Sequence, residues 1–166
     1  MSRLMNSDFQ DFVRDLSDGR NAERFRSTRA HCVRDAFHEL ARLTGQEEAT
    51  LLRNFGGRTC ARLMTLHPET VSASASALDF LEHAERHILA AASSLQACGE
   101  PPRLCSVRIS PSRLLIRCHM AGQLTEIFAG VIEAALTRFA TRALVARRSA
   151  DLGAATVFDV EMIAAA

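Results

Sequence analysis

Two consecutive prolines, Pro101 and Pro102, divide the chain into stretches of different period, and this change limits its fold more than any other feature. Proline has no backbone N–H and cannot continue a helix or sit in the middle of a sheet. On the N-terminal side, Leu81, Ala84, Ile88, Ala91, Ala92 and Leu95 recur at helical spacing, with Asp79, Glu82, Arg86 and Ser93 opposite them. Residues Ala77 to Leu95 therefore read as one amphipathic helix, with Asp79, Glu82 and Arg86 on a solvated face. Ser76 caps it with Asp79 in the first turn, and Gly99 stops it before the prolines. On the C-terminal side the period falls to two. Cys105, Val107 and Ile109 point one way, Ser106 and Arg108 the other, and Leu114, Ile116, Cys118 and Met120 resume the alternation after a turn at Ser110–Arg113. This predicts a hairpin with one apolar face, Arg117 and His119 lying on the other.

The remaining segments fit around this division. Ser7 caps a short helix to about Leu16, ended by Gly19, and an arginine-rich link follows to about Ser27. Val33, Phe37, Leu40 and Leu43 mark a longer helix that Gly45 ends. Thr44 with Glu47 reads as a capping box for a second helix carrying Leu51, Leu52 and Phe55 inward. Gly56-Gly57 is expected to break or kink that helix before it resumes to His67-Pro68, and Glu69 to Ser76 read as a small-residue link. Gln123 to about Thr141 forms a helix that covers the sheet, and the segments from Ala143 and from Ala155 to Met162 form two final strands around Ala150–Gly153. The fold class is α+β: N-terminal helices, then a small antiparallel sheet of two hairpins with a helix between them.

Composition excludes several functions. A chain of 166 residues, 48% hydrophobic, buries one core and is expected to be a single domain. The twenty basic residues are all arginine, interleaved with acids to a net charge of +1, which argues against a nucleic-acid partner. No apolar run is long enough to cross a bilayer, and the first residues lack a signal-peptide core, so no membrane association and a cytoplasmic location are expected. Five cysteines with no CxxC pair suit a reducing compartment. Cys98, Cys105, Cys118 and His119 match no standard zinc spacing, although Cys98 and Cys105 flank the Pro-Pro corner and leave a thiol redox switch open. No Ser-His-Asp order, phosphate loop or HExxH pair stands in a supporting context, so an enzyme is not expected. His83 and His87, at i and i+4 on the long helix, could in principle offer imidazoles to a metal or cofactor.

Leu43-Thr-Gly45 leading to Leu52-Arg-Asn-Phe-Gly56, Leu78-Asp-Phe-Leu81 through Pro102-Arg-Leu104, Leu114-Leu-Ile-Arg117 and Leu124-Thr-Glu-Ile-Phe-Ala-Gly-Val-Ile132 occur in an order and at a spacing that resemble a known family. From about Ala30 to Met162 the chain resembles the H-NOX domains, the haem nitric oxide/oxygen binding domains of bacterial sensors and soluble guanylate cyclase. Residues 1–27 look divergent and shortened.

The resemblance implies a b-type haem ligated by a histidine on the long helix, with a proline pressing on the porphyrin. Pro102 takes the proline position, and counting back thirteen residues places Leu89 where the iron ligand belongs. His87 lies about 200° away around the helix, and His83 further round. The family's Tyr-x-Ser-x-Arg clamp for the haem propionates falls on Cys118-His-Met-Ala-Gly122, which has no guanidinium to offer a carboxylate. The expected function is thus a non-catalytic sensory or regulatory domain whose haem site, around Leu89, Pro102, Cys118 and Met120, has been altered or lost. The alternatives are a haem b sensor of nitric oxide or oxygen using His87 or His83, with Cys118 or Met120 as softer iron ligands, and the cysteine switch. Implied partners are a histidine kinase or a cyclic-nucleotide or cyclic-dinucleotide enzyme, on the same or a separate chain, with a homodimer as a further expectation.

Overall fold

The computed structural model describes residues 9–15, 33–87, 89, 103–119, 122, 125–150 and 155–163. A first helix, α1, covers residues 9–15. It lays Phe9 and Phe12 against α2 (Val33–Thr44) and α3 (Glu48–Leu66), where Phe37 and Phe55 complete a cluster of four rings. The Phe9–Phe37 and Phe12–Phe55 centroids are each 5.2 Å apart in tilted, edge-on geometry that suits the ring quadrupoles. Leu40, Leu51, Leu52 and Ile127 close this helical core.

Gly45 ends α2 as its position predicts. Its φ of +69° is left-handed, where glycine alone carries no Cβ penalty, and its N–H reaches the Ala41 carbonyl at 2.8 Å. The capping box does not form. Thr44 is the last residue of α2, and its hydroxyl donates back to the Leu40 carbonyl at 2.8 Å, so Glu47 enters α3 without a side-chain cap. Nor do Gly56 and Gly57 break the helix, since α3 runs unbroken from Glu48 to Leu66. Gly56 is small because another helix crosses there: a Cβ on it would overlap the Ile127 carbonyl of α6 (Thr125–Arg138).

His67 closes α3 and Pro68 opens a short helix α4 (Pro68–Ser72), placed inside what reads as a link. Helix α5 (Ala77–His83) begins as expected, with the Ser76 hydroxyl accepting from the Asp79 N–H at 3.2 Å. The single helix predicted over 77–95 is interrupted at Ala84, and residues 88 and 90–95 of that prediction lie outside the described residues. Helix α5 closes at Ala84, helical geometry returns at residues 85–87, and this division lets both Glu82 and Glu85 reach the sheet.

The sheet is antiparallel throughout, in the order β1 (Arg103–Ser110), β2 (Arg113–His119), β4 (Ala155–Met162), β3 (Ala143–Ala150). The two hairpins therefore join through β2 and β4, with Ile116 opposite Phe158 and Leu114 opposite Val160. These four residues, with Cys118, pack beneath Phe128, Val131, Ile132 and Ala135 of α6 and Leu78 and Leu81 of α5. The helix thus covers the sheet as its pattern predicts. Residues 151–154, which hold most of the turn predicted at Ala150–Gly153, and residue Gln123 lie outside the described residues.

In β1 the predicted apolar face is inverted. Val107 and Ile109 are 52% and 51% exposed, and Cys105 is exposed with them. Ser106 and Arg108 turn inward instead, opposite Ile116 and Leu114. Alternation defines two sets of residues, but the acids on the facing helix decide which set is buried.

Candidate functional site

The inner face of β1 and β2, together with α5, carries the residues on which a cofactor role would depend. Arg108 donates to the Glu82 carboxylate from Nε at 3.1 Å, and also from Nη2, which in addition lies 2.8 Å from Asp79 Oδ1. The Ser106 N–H reaches Glu85 Oε2 at 3.3 Å, and its hydroxyl bonds the same oxygen. Asp79 and Glu82, which the sequence places on a solvated face, are therefore half-buried partners of the sheet. Burial raises the Asp79 carboxyl, but the Ser76 hydrogen bond and the Arg108 guanidinium outweigh it and hold the carboxyl below its usual range. The missed signal was the pairing of an inward arginine with acids at 79, 82 and 85 on one helical side.

A second charged group joins α6 to both layers. Glu126, buried beneath the sheet edge, accepts from Arg53 of α3 at 2.6 Å and from Arg147 of β3, which also donates to the Thr125 hydroxyl. Burial raises its carboxyl, but hydrogen bonds from Arg147 and Arg53 prevail and keep it low. Two arginines on one buried carboxylate satisfy its oxygens and position α6 against both α3 and the sheet.

The histidines lie elsewhere. His83 is exposed, with Nδ1 3.2 Å from the Ser74 hydroxyl. The His87 ring stacks on His67 with centroids 3.8 Å apart and planes at 25°, and His67 Nδ1 lies 3.2 Å from Glu69 Oε1. Burial, the facing His67 and the neighbouring Arg86 lower the His87 pKa, with Glu69 opposing them. Leu89 is half-buried, while Pro102, Met120 and Cys98 lie outside the described residues.

Cys118 is 0% exposed, in the same cluster as Leu81, Ala84 and Val131. Burial pushes its thiol up to about 12. Cys60 is buried in the same cluster, and its thiol is likewise pushed up to about 12.

Haem held in the manner implied by the sequence resemblance needs an imidazole aimed at iron and a guanidinium for the propionates. Of the residues that the resemblance singles out, His83 and His87 are engaged by Ser74 and His67, outside the cluster around Cys118, and the one inward arginine of β1, Arg108, is committed to its own acids. Among the described residues no group of three or more His, Cys, Asp or Glu side chains is arranged to hold a metal ion. No described helix is long and apolar enough to cross a membrane.

No protein-family model and no curated protein sequence matches the chain. Solved structures do. The chain is similar to the Fe(II) unliganded H-NOX protein from K. algicida, at a TM-score of 0.78 and 12% identity, with 99% of this chain and 98% of that one covered. A variant of Tt H-NOX gives 0.69 at 16% identity, over 96% and 92% of the two chains. A mutant of the T. tengcongensis H-NOX gives 0.60 at 18%, over 78% and 71%.

Proposed function

From the H-NOX fold that this chain shares with those structures, we propose that it is a sensory or regulatory domain with no catalytic machinery of its own, in which packed side chains occupy the place of the haem. The observation that carries this reading is Cys118. It stands where the resemblance puts the first residue of the propionate clamp, and it is fully buried against Leu81, Ala84 and Val131. A haem-sized void would be strongly destabilising, and apolar packing in its place supports a domain that keeps the fold without the cofactor. The departures at Leu89 and Gly122 point the same way.

Such a domain acts by contact. A histidine kinase or a cyclic-nucleotide or cyclic-dinucleotide enzyme, on the same chain or another, is the partner class that the fold suggests, in a cytoplasmic setting. The second reading is a haem b sensor of nitric oxide or oxygen using His87 or His83, favoured by a similar structure described as an Fe(II) unliganded H-NOX protein. Titrating haem into the purified chain decides between them. The haem-free reading expects no stoichiometric Soret band; a one-to-one band that His87→Ala or His83→Ala removes establishes the second instead. The cysteine switch falls to the exposed Cys105 and to Cys98. Equal thiol reactivity before and after peroxide would eliminate it.

A further inference from the structure

The two edges of the sheet are built differently. At β1 the free edge is closed from within: the Ser106 N–H, which faces away from β2, meets Glu85 Oε2 at 3.3 Å, and the register slips between Arg108 and Ser110. A covered amide and an irregular register both blunt a sheet edge. At β3 neither is found among the described residues. Its eight residues pair with β4 in one unbroken register, it holds no proline, lysine or acid, and it is exposed from Leu144 to Ser149. Leu144, on the outer face opposite Glu161, is 63% exposed, and Val145, on the inner face opposite Val160, is 42% exposed.

The phase of the strand says which backbone groups are unused. The Ile163 N–H donates to the Arg142 carbonyl at 2.8 Å, so alternate residues from Arg142 onward direct their backbone groups at β4. The N–H and C=O groups of Ala143, Val145, Arg147 and Ser149 therefore face away from the sheet, and among the described residues no backbone group meets them. Such a row is a template for a further strand.

The sequence of β3 suits a second copy of itself. Two β3 strands related by a two-fold axis run antiparallel, and keeping inner residues beside inner ones puts the axis at a residue position. Like charges directly opposite one another are destabilising. With the axis at Arg147 that arginine opposes its own copy, and with the axis at Val145 Arg142 opposes Arg148 of the second copy. At Ala146 no arginine opposes another: Leu144 meets Arg148, Val145 meets Arg147 and Ala143 meets Ser149 of the second copy. The arginine stems then cover the two exposed apolar side chains, and each Arg147 keeps Glu126 and Thr125 of its own chain. The edge-facing residues fall opposite one another in this register, which yields about eight backbone hydrogen bonds.

We propose that two copies of this chain join edge to edge through β3, about Ala146, so that the sheet continues from one protomer into the other. The proposal does not rest on the haem-free reading. A single strand edge is a small interface, so the association is reversible and of micromolar order.

The test uses the full chain in sedimentation equilibrium, followed by interference optics because the chain has neither tryptophan nor tyrosine. Between about 1 and about 300 µM the mass should rise from monomer to dimer. Val145→Pro removes an edge-facing N–H without touching the β4 ladder, and should weaken the dimer at least about tenfold with far-UV circular dichroism unchanged. Ala146→Cys places two thiols opposite each other at the axis, within disulfide reach, and mild oxidation should give a dimer whose linked peptides join position 146 of both copies. Leu144→Cys, far from the axis, should not link to itself. A chain that stays monomeric throughout overturns the proposal and leaves the edge to a strand of another protein. So does a dimer that is as tight in folded Val145→Pro as in the parent, and so, whether or not that variant folds, does self-linking no faster in Ala146→Cys than in Leu144→Cys.

Discussion

Gly56 of α3 faces the carbonyl of Ile127 on α6 so closely that a methyl group on it would overlap that oxygen, and Gly130 meets the Arg53 carbonyl in the same way from the other helix. The two helices cross backbone to backbone. Gly57, one residue on, is different: a Cβ there would meet its nearest atom, the Gly130 oxygen, only at 3.8 Å. Gly56→Ala and Gly130→Ala should each cost about 3 kcal/mol or more through overpacking. Gly57→Ala should be neutral or add up to about 1 kcal/mol through helix propensity. Urea melts followed by far-UV circular dichroism read this directly, the chain having neither tryptophan nor tyrosine. Equal effects at Gly56 and Gly57 would contradict the crossing.

That crossing marks where sequence reading stops. A glycine pair inside a helical pattern looks like a break when only neighbours are considered, and the reason for Gly56 lies at Ile127, far along the chain. Signals whose causes are local were legible: Gly45 at a helix end, Ser76 at a helix start, His67-Pro68 between helices, and the change of period after Pro102. The face of β1 was not, because Val107 and Ile109 yield the interior to Ser106 and Arg108 only when Glu82 and Glu85 stand opposite. The same limit applies to the candidate site. His83 and His87 share a helical side in the sequence, but their partners, Ser74 and His67, come from the preceding segments.

Arg108 is the hinge of the β1 contact and should show it through pH. Its guanidinium helps to hold the Asp79 carboxyl low, so the folded state binds that proton less readily than the unfolded chain. The resulting stability is present above the ordinary aspartate value and is lost as pH falls through the folded one. Arg108→Gln should therefore cost about 1 kcal/mol near neutrality, the pair being partly solvated. The difference from the parent should shrink as pH falls through the folded Asp79 value, below which the carboxyl is protonated in both. A cost that stays constant with pH would assign Arg108 a packing role alone.

His87 predicts a second, higher window. Burial, His67 and Arg86 depress its pKa against the pull of Glu69, so the folded protein resists a proton that the unfolded chain accepts near pH 6.5. The sign follows: the contribution is complete above that value and falls away as pH drops toward the lower folded pKa. Urea midpoints should decline between pH 7.5 and 5.5, and His87→Gln should flatten the decline. An unchanged slope in the variant would place the loss elsewhere.

Cys118 and Cys105 sit on one hairpin and should react as opposites. Arg117 pairs with Cys105 across the strands, on the outer face, whereas Cys118 faces the core beneath α6. Alkylation needs the thiolate and access to it. Cys105 is exposed, while burial pushes the Cys118 thiol up to about 12 and closes it off. In native protein at pH 7.5, iodoacetamide should label Cys105 within minutes and leave Cys118 unmodified until urea unfolds the chain, as mass spectrometry of the peptides would record. Cys118→Val should keep the fold within about 1.5 kcal/mol, replacing one small buried apolar side chain by another. Rapid native labelling of Cys118 would mean that the interior beneath α6 opens to solvent, and the reading in which side chains fill the place of the haem would fail with it.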